Sequence, residues 1–313
     1  MQAAAIGTLK QELTCNDTRY PEGLFLVDQP PERIYVNGSV EVLSTPALAI
    51  VGARKATPYG LNCARRFARL AALRGITVVS GGAIGCDQAA HRGALEAGGK
   101  TIVVLGCGAD VVYPARAREL FGQILTEQGA LVSEAPWGSP PSRWGFKRRN
   151  RLIAGIAQAT LIVEAGLPSG TFSTADATLS QGKEVLAVPG SIFAKESRGA
   201  NRLIAQGAIP IIDDESFGDA LFQLFGLIDG LAGTILGNRQ TSMFGGQGPA
   251  NRAVVKGLEG RVLETLAQEP LRAEALRGIC GDDVIEVIRY LSSLELAGLV
   301  LRMRDGRYAA VQH

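Results

Sequence analysis

The 313-residue chain has two histidines, His91 and His313, and five cysteines, Cys15, Cys63, Cys86, Cys107 and Cys280. No two cysteines form a C-x-x-C pair and no cluster of these residues has zinc-ligand spacing, so no metal is expected. Scattered thiols of this kind read as free, buried residues of a reducing compartment. The start of the chain lacks a basic region followed by an apolar block, so no secretion signal is expected. Nor does any apolar run approach the ~20 residues needed to span a bilayer. A soluble, cytoplasmic protein with no membrane partner is the expectation. Excess charge is missing too: 32 Lys and Arg oppose 30 Asp and Glu, a formal net charge of +2. A site for a polyanion must therefore be a local concentration of charge.

Three signatures of common chemistry are also absent. Without G-x-x-x-x-G-K-[ST] there is no P-loop, and no G-x-G-x-x-G opens the first helix as a dinucleotide site would. A nucleophile elbow G-x-S-x-G is missing as well. His91, within Ala89-Ala90-His91-Arg92, reads as a helix-face residue, and Asp87 as an acid favouring a first helical turn. No catalytic constellation emerges, and no cofactor is expected.

What is present is a core and a great deal of glycine. The sequence is 46% hydrophobic and 20% charged, which excludes wholesale disorder, and it carries 39 glycines. Apolar runs at 47–51, 77–79, 101–105, 130–132, 160–163, 185–188 and 209–212 read as buried strands. Helical patterns lie between them, near 60–74, 87–98, 115–128, 149–158, 171–182, 199–206 and 215–225. Continuous apolar strands alternating with helices predict a mainly parallel sheet covered on both faces, an α/β doubly wound, Rossmann-like domain.

The flanks differ. Residues 1–22 are weakly patterned, and 33–36 form a short strand closed by Asn37-Gly38. Residues 226–256 are rich in Gly, Gln, Asn and Ser and read as a linker. Helical patterns at 258–266, 272–279 and 283–297, followed by a strand–turn–strand signal at 299–309, have the layout of a winged helix. The expected organisation is an N-terminal extension (1–32), a Rossmann-like domain (33–227), a linker (228–256) and a winged-helix domain (257–313). Asp282, Asp283 and Glu286 stand where a DNA-reading helix would enter the groove. An auxiliary or protein-contacting role is therefore expected for that domain, with duplex binding the weaker alternative.

Ligands of doubly wound sheets gather at the carboxyl ends of the strands. Here those ends carry Gly52-Ala53-Arg54-Lys55, then Ser80-Gly81, and Ser169-Gly170-Thr171 after the fifth run. Glycines admit backbone amides to a ligand, and helix N-termini attract anions. Arg143, Trp144, Phe146, Lys147, Arg148, Arg149, Asn150 and Arg151 follow the fourth run. Cations beside aromatic rings suit single-stranded nucleic acid, whose phosphates need charge and whose bases need a surface to stack on. A solvated basic loop is the alternative reading of the same run.

The segments A-I-V-G-A-R-K, V-V-S-G-G-A-I-G-C-D-Q-A-A-H-R-G-A-L, V-L-G-C-G-A-D-V-V-Y-P, R-N-R-L-I-A-G and I-V-E-A-G-L-P-S-G-T recur in one order across about 33–213. With the Gly-Ser-Ile and Gly-Ala-Asn segments of 190–208, they resemble the DNA-processing protein A family (DprA, also called Smf). The resemblance implies a protein that binds single-stranded DNA, protects incoming DNA and loads the RecA recombinase in natural transformation. It also implies dimerisation through the end of the Rossmann-like part. On family motifs, Arg54, Arg143, Phe146 and the Arg149-Asn150-Arg151 signature are DNA-binding positions. Ala53 replaces the serine of the family turn, and two departures stand out: Lys147 stands where proline is common, and about 30 residues precede the first expected strand where many members carry an N-terminal helical domain.

A reading of another class remains open, a Rossmann-like nucleotide-binding enzyme of the phosphoribohydrolase type. It would use Ser169-Gly170-Thr171 for phosphate and one of two rim carboxylates, Glu134 or Glu164, for bond cleavage. Five cations and two rings outside a mononucleotide pocket argue against it. For the homodimer, Phe217, Leu221, Leu224 and Ile228 form one helical stripe, leaving Phe222 and Phe225 on its flank. Leu221, Phe222 and Phe225 are the expected interface.

Overall fold

The computed structural model describes residues 9–226 and, further on, 262–263, 265–266, 271–279, 287, 290–292, 294–295, 299–303 and 307–310. Nine strands build one sheet: β1 (Lys10–Thr14), β2 (Arg33–Gly38), β3 (Ala47–Val51), β4 (Thr77–Ser80), β5 (Thr101–Val104), β6 (Ala130–Ser133), β7 (Ala159–Ile162), β8 (Glu184–Ala187) and β9 (Ile209–Pro210). Their spatial order is β1-β2-β6-β5-β4-β3-β7-β8-β9. From β6 to β9 every neighbouring pair is parallel, while β1–β2 and β2–β6 are antiparallel.

The chain steps outward from β3 to β6 and then returns to lay β7 on the other side of β3. The loops after β3 and β7 leave in opposite directions, which opens a crevice at their carboxyl ends. Strand alternation divides the core accordingly. Leu48, Ile50 and Leu161 pack with α1 (Pro58–Ala72), α2 (Cys86–Glu96) and α8 (Asp214–Phe225). Ala49, Val51 and Ile162 face the other way, toward α5 (Asn150–Ile156), α6 (Phe172–Ser180) and α7 (Arg198–Ala205). Helix α3 (Arg118–Thr126) covers Val103, Leu105 and Leu131. The expected doubly wound sheet is the one observed.

Three local expectations are corrected. Within the weakly patterned 1–22, Lys10–Thr14 is an edge strand in register with β2, from Lys10 opposite Asn37 to Thr14 opposite Arg33. Its sequence KQELT drives one apolar side chain, Leu13, into the core. The basic-aromatic run 143–148 is helix α4 (Arg143–Arg148), capped by Ser142, whose hydroxyl accepts from the Gly145 amide at 3.0 Å. Helix rather than loop fixes which cations point outward. Among the thiols, Cys86 and Cys107 are buried but Cys15 is exposed; Cys280 lies outside the described residues.

The chain divides into two compact units, Met1–Ile235 and Leu236–His313. In the second, β10 (Val300–Arg302) and β11 (Tyr308–Ala310) form an antiparallel hairpin over a small core that includes Val262, Leu276, Leu291 and Tyr308. Part of the expected helix at 272–279 is instead a short 3-10 turn, Ala273–Leu276. The linker 228–256, residue Ile228 and the acidic Asp282, Asp283 and Glu286 lie outside the described residues, as do the expected boundaries at 227/228 and 256/257. Among the described residues, no helix is long and apolar enough to cross a membrane, and no group of His, Cys, Asp or Glu could hold a metal ion.

Candidate nucleic-acid interface

A cavity of about 630 Å³ lies at the ends of β3 and β7. One wall is the turn Gly52, Ala53, Arg54 and Lys55. The opposite wall is the loop from Gly166 to Thr171, and Arg149 and Asn150 come from the junction of α4 and α5. Asn150 tethers the loop: its amide donates to Ser173 Oγ at 2.6 Å and to the Gly170 carbonyl at 3.4 Å. The Ser169 hydroxyl accepts from the Thr171 amide at 3.2 Å. Lys195 and Glu196, from the turn after β8, complete the lining.

The floor holds a buried charge pair. Arg149 is 4% exposed and Asp87 6%, with Arg149 Nη2 4.0 Å from Asp87 Oδ2. Arg149 Nη1 donates to the Val104 carbonyl at 2.9 Å, and its buried Nε has no hydrogen-bond partner. Gly81 makes the room, since any side chain there would overlap the Arg149 guanidinium. Burial pushes the Asp87 carboxyl up, opposed by the Arg149 charge that pulls it down. Asp87 had read only as a helix-start acid; its place on the cavity wall depends on packing that local sequence does not encode.

Outside the cavity, α4 presents a cationic and aromatic edge. It sits over the end of β5 because two glycines meet: a Cβ on Gly106 would lie 2.7 Å from the Phe146 amide, and one on Gly145 would overlap the Gly106 carbonyl. Phe146 is thereby set between Tyr113, with ring centroids 5.2 Å apart, and Arg54, whose guanidinium carbon is 5.8 Å from the ring centre. Arg54, Lys55, Arg143 and Lys147 are exposed. Tyr113, itself exposed, was not picked out from the sequence.

The remaining candidates have internal duties. Arg151 donates to both carboxylate oxygens of Glu134 at 3.1 and 2.7 Å, and to the carbonyls of Asp28 and Gln29. Arg148 lies 3.3 Å from Glu134 and 4.7 Å over the Trp144 ring. Ser80 is fully buried, its hydroxyl donating to the Ile50 carbonyl at 2.6 Å, so neither Ser80 nor the buried Gly81 offers a ligand contact. The buried Glu164 accepts from the Thr57 amide at 2.8 Å and the Thr57 hydroxyl at 2.7 Å. His91 is sealed in the core, where its Nδ1 meets the Thr101 hydroxyl at 2.7 Å; burial pushes its pKa down to about 3. The expected interface residue Leu221 is 1% exposed, because α8 turns it into its own core. Phe225 is partly buried against that core, and Phe222 is 40% exposed.

A cation-flanked cavity at the switch point of a doubly wound sheet defines a Rossmann-like protein with a site suited to anions. The family model for DNA recombination-mediator protein A matches residues 11–221, and that for the DprA winged helix domain matches 248–306. Among relatives, Protein Smf of Escherichia coli is 36% identical over 288 residues, covering 92% of this chain and 74% of that protein. A putative DNA processing protein DprA of Mycobacterium tuberculosis is 38% identical over 262 residues, covering 84% and 64%. The chain belongs to this DprA/Smf family. The solved structure of DNA processing protein A from Streptococcus pneumoniae superposes with a TM-score of 0.63 at 32% identity, covering 67% of this chain and 73% of that one. The Helicobacter pylori DNA processing protein A, whose structure describes a single-stranded DNA binding mode, gives 0.62 at 30% identity, covering 70% and 98%.

Proposed function

We propose that this protein is a non-enzymatic recombination mediator of the cytoplasm. It binds single-stranded DNA along the strand-end rim, protects incoming DNA and loads RecA onto it in natural transformation. The observation that carries the reading is Phe146, held between Tyr113 and Arg54 beside the exposed Arg143 and Lys147. A ring flanked by unpaired cations serves a polymer with bases and phosphates, and the Helicobacter pylori relative is described with single-stranded DNA. The phosphoribohydrolase reading is weaker. Of its two carboxylates, Glu134 is tied to Arg148 and Arg151, and Glu164 to Thr57. Duplex DNA, whose bases are stacked away, is the weaker ligand.

The test is a titration with single-stranded DNA at two salt concentrations, paired with an assay of RecA filament growth on the same strands. Arg54→Ala and Arg143→Ala should each weaken binding for all sequences alike and flatten the salt dependence by about one counterion. RecA growth should fall with them. Wild-type binding by both variants would overturn the assignment.

We further propose that two copies associate through the exposed ring of Phe222 and the adjoining edge of Phe225, with Leu221 excluded. Pairing two rims would raise the effective affinity for a long strand without new contacts. Light scattering on Phe222→Glu should show a soluble monomer; an unchanged dimer would place the interface elsewhere.

A further inference from the structure

The turn after β8 carries an apolar pair that no core explains. Ile192 and Phe193 are 75% and 87% exposed, and Phe193 is the most exposed large hydrophobic residue among those described. The loop that bears them is well held. Gly190 exchanges two hydrogen bonds with the Asn201 side chain, at 3.1 and 2.9 Å. The Phe193 amide donates to Ser191 Oγ at 3.3 Å, and the Ala194 amide to the Ser191 carbonyl at 3.1 Å. A buried surface is available to apolar side chains throughout this unit, yet a braced backbone turns these two away from it.

The braced loop is also a wall of the cavity. The Gly199 amide donates to the Ala165 carbonyl at 2.7 Å, so the start of α7 is fastened to the end of β7. Lys195, two residues past Phe193, lines the cavity, its backbone carbonyl beside Gly166. Lys195 and Arg198 are exposed, and neither is held by an ion pair among the described residues. An exposed ring beside free cations repeats the composition of the Arg54–Phe146 edge on the far side of the same opening. Phe146 sits over the end of β5 and Phe193 follows β8, four strand positions away in the order β5-β4-β3-β7-β8. At roughly 4.8 Å per strand that separation is about 19 Å, a span of several nucleotides.

We infer that Phe193 is a second base-stacking post, which extends the single-strand track across the cavity from α4 to the β8–α7 loop. The inference rests on the binding reading above. Phosphates between the posts would lie over the amides of the two cavity walls, with Lys195 and Arg198 meeting the backbone at the far end. A stacking post accepts any base, since each has a flat face, so the extension adds length to the footprint without sequence preference.

Fluorescence titration with two oligothymidylates, one of about 4 nucleotides and one of about 20, tests it, the lengths bracketing known single-strand footprints. Phe193→Ala should weaken the long strand roughly 5- to 150-fold, the range of one lost stacking contact, with the salt slope unchanged. The short strand, which fits the Phe146 side alone, should bind as to wild type, and Phe193→Trp should retain long-strand affinity. Equal binding of both strands by Phe193→Ala, while Phe146→Ala weakens both, would overturn the second post and leave the binding reading intact. If Phe146→Ala and Arg54→Ala are also silent, the binding reading itself fails. A change in mass by light scattering on Phe193→Ala would make the ring a contact between copies and equally overturn the inference.

Discussion

Two groups of cations stand side by side in the sequence and differ in almost every physical respect. Arg143 and Lys147, with Arg54 across from them, are exposed and hold no ion pair among the described residues. Arg149 and Arg151, only a few residues on, are withdrawn from solvent onto Asp87, Glu134 and backbone carbonyls. A helix explains the split: α4 ends at Arg148, and the chain turns into α5 with the next cations aimed inward. The outer group is free to meet a ligand. The inner group holds the platform on which the outer one stands.

The sharpest way to break this comparison is to remove one cation from each group and measure stability. Arg149→Ala leaves Asp87 buried without its partner, which should destabilise the fold by about 3–5 kcal/mol. Lys147→Ala, on the surface, should stay within about 0.5 kcal/mol of wild type. Urea unfolding of both variants checks the pair, and equal losses would erase the distinction.

Binding sharpens the other half. Phe146→Ala should lose roughly 1–3 kcal/mol of single-strand affinity with the salt slope unchanged, because the ring supplies stacking and no charge. A flattened slope would mean that the ring serves only to position Arg54.

The most gradual effect, small near neutral pH, is a pH dependence arising from the interior. His91 has a folded pKa of about 3, against about 6.5 in an unfolded chain. Above pH 6.5 both states are neutral and the residue adds no dependence. Below it the unfolded chain takes up a proton that the folded one refuses, so stability should fall by about 1.4 kcal/mol per pH unit toward pH 3. His91→Gln should flatten this part of the profile even if it lowers stability throughout. An unchanged slope would place the acid sensitivity elsewhere.

The parallel strands were legible because burial on both faces writes them as continuous apolar runs, as in the ALAIV of β3. Edge strand β1 was not, since KQELT needs only Leu13 to be apolar and the partner that orders it begins at Arg33. Helix α4 was hidden for a similar reason: R-W-G-F-K-R has no core stripe, and it is held by the contact of Gly145 with Gly106. Residue types at the rim were visible in the sequence, but their availability was not. Whether an arginine is free depends on Glu134, Asp28 and Gln29, contacts that local patterns do not encode. Phe193 was passed over because an isolated aromatic in a glycine-bounded turn looks the same whether it is tucked in or held out.

The carboxylate of Glu164 gives the familiar architecture an unfamiliar chemistry. In dinucleotide-binding relatives of this fold the first helix offers its positive end to a pyrophosphate. Here the corresponding end of α1 is met by an anion built into the chain, fixed by the Thr57 amide and hydroxyl, and Gly60 is bare because a methyl group there would strike it. The socket is already plugged. Under the proposed function, a phosphate at the crevice would meet Glu164 at α1, which leaves the glycine turns and the flank of α4 to receive it. One internal side chain thus occupies the position that a pyrophosphate takes in dinucleotide-binding folds.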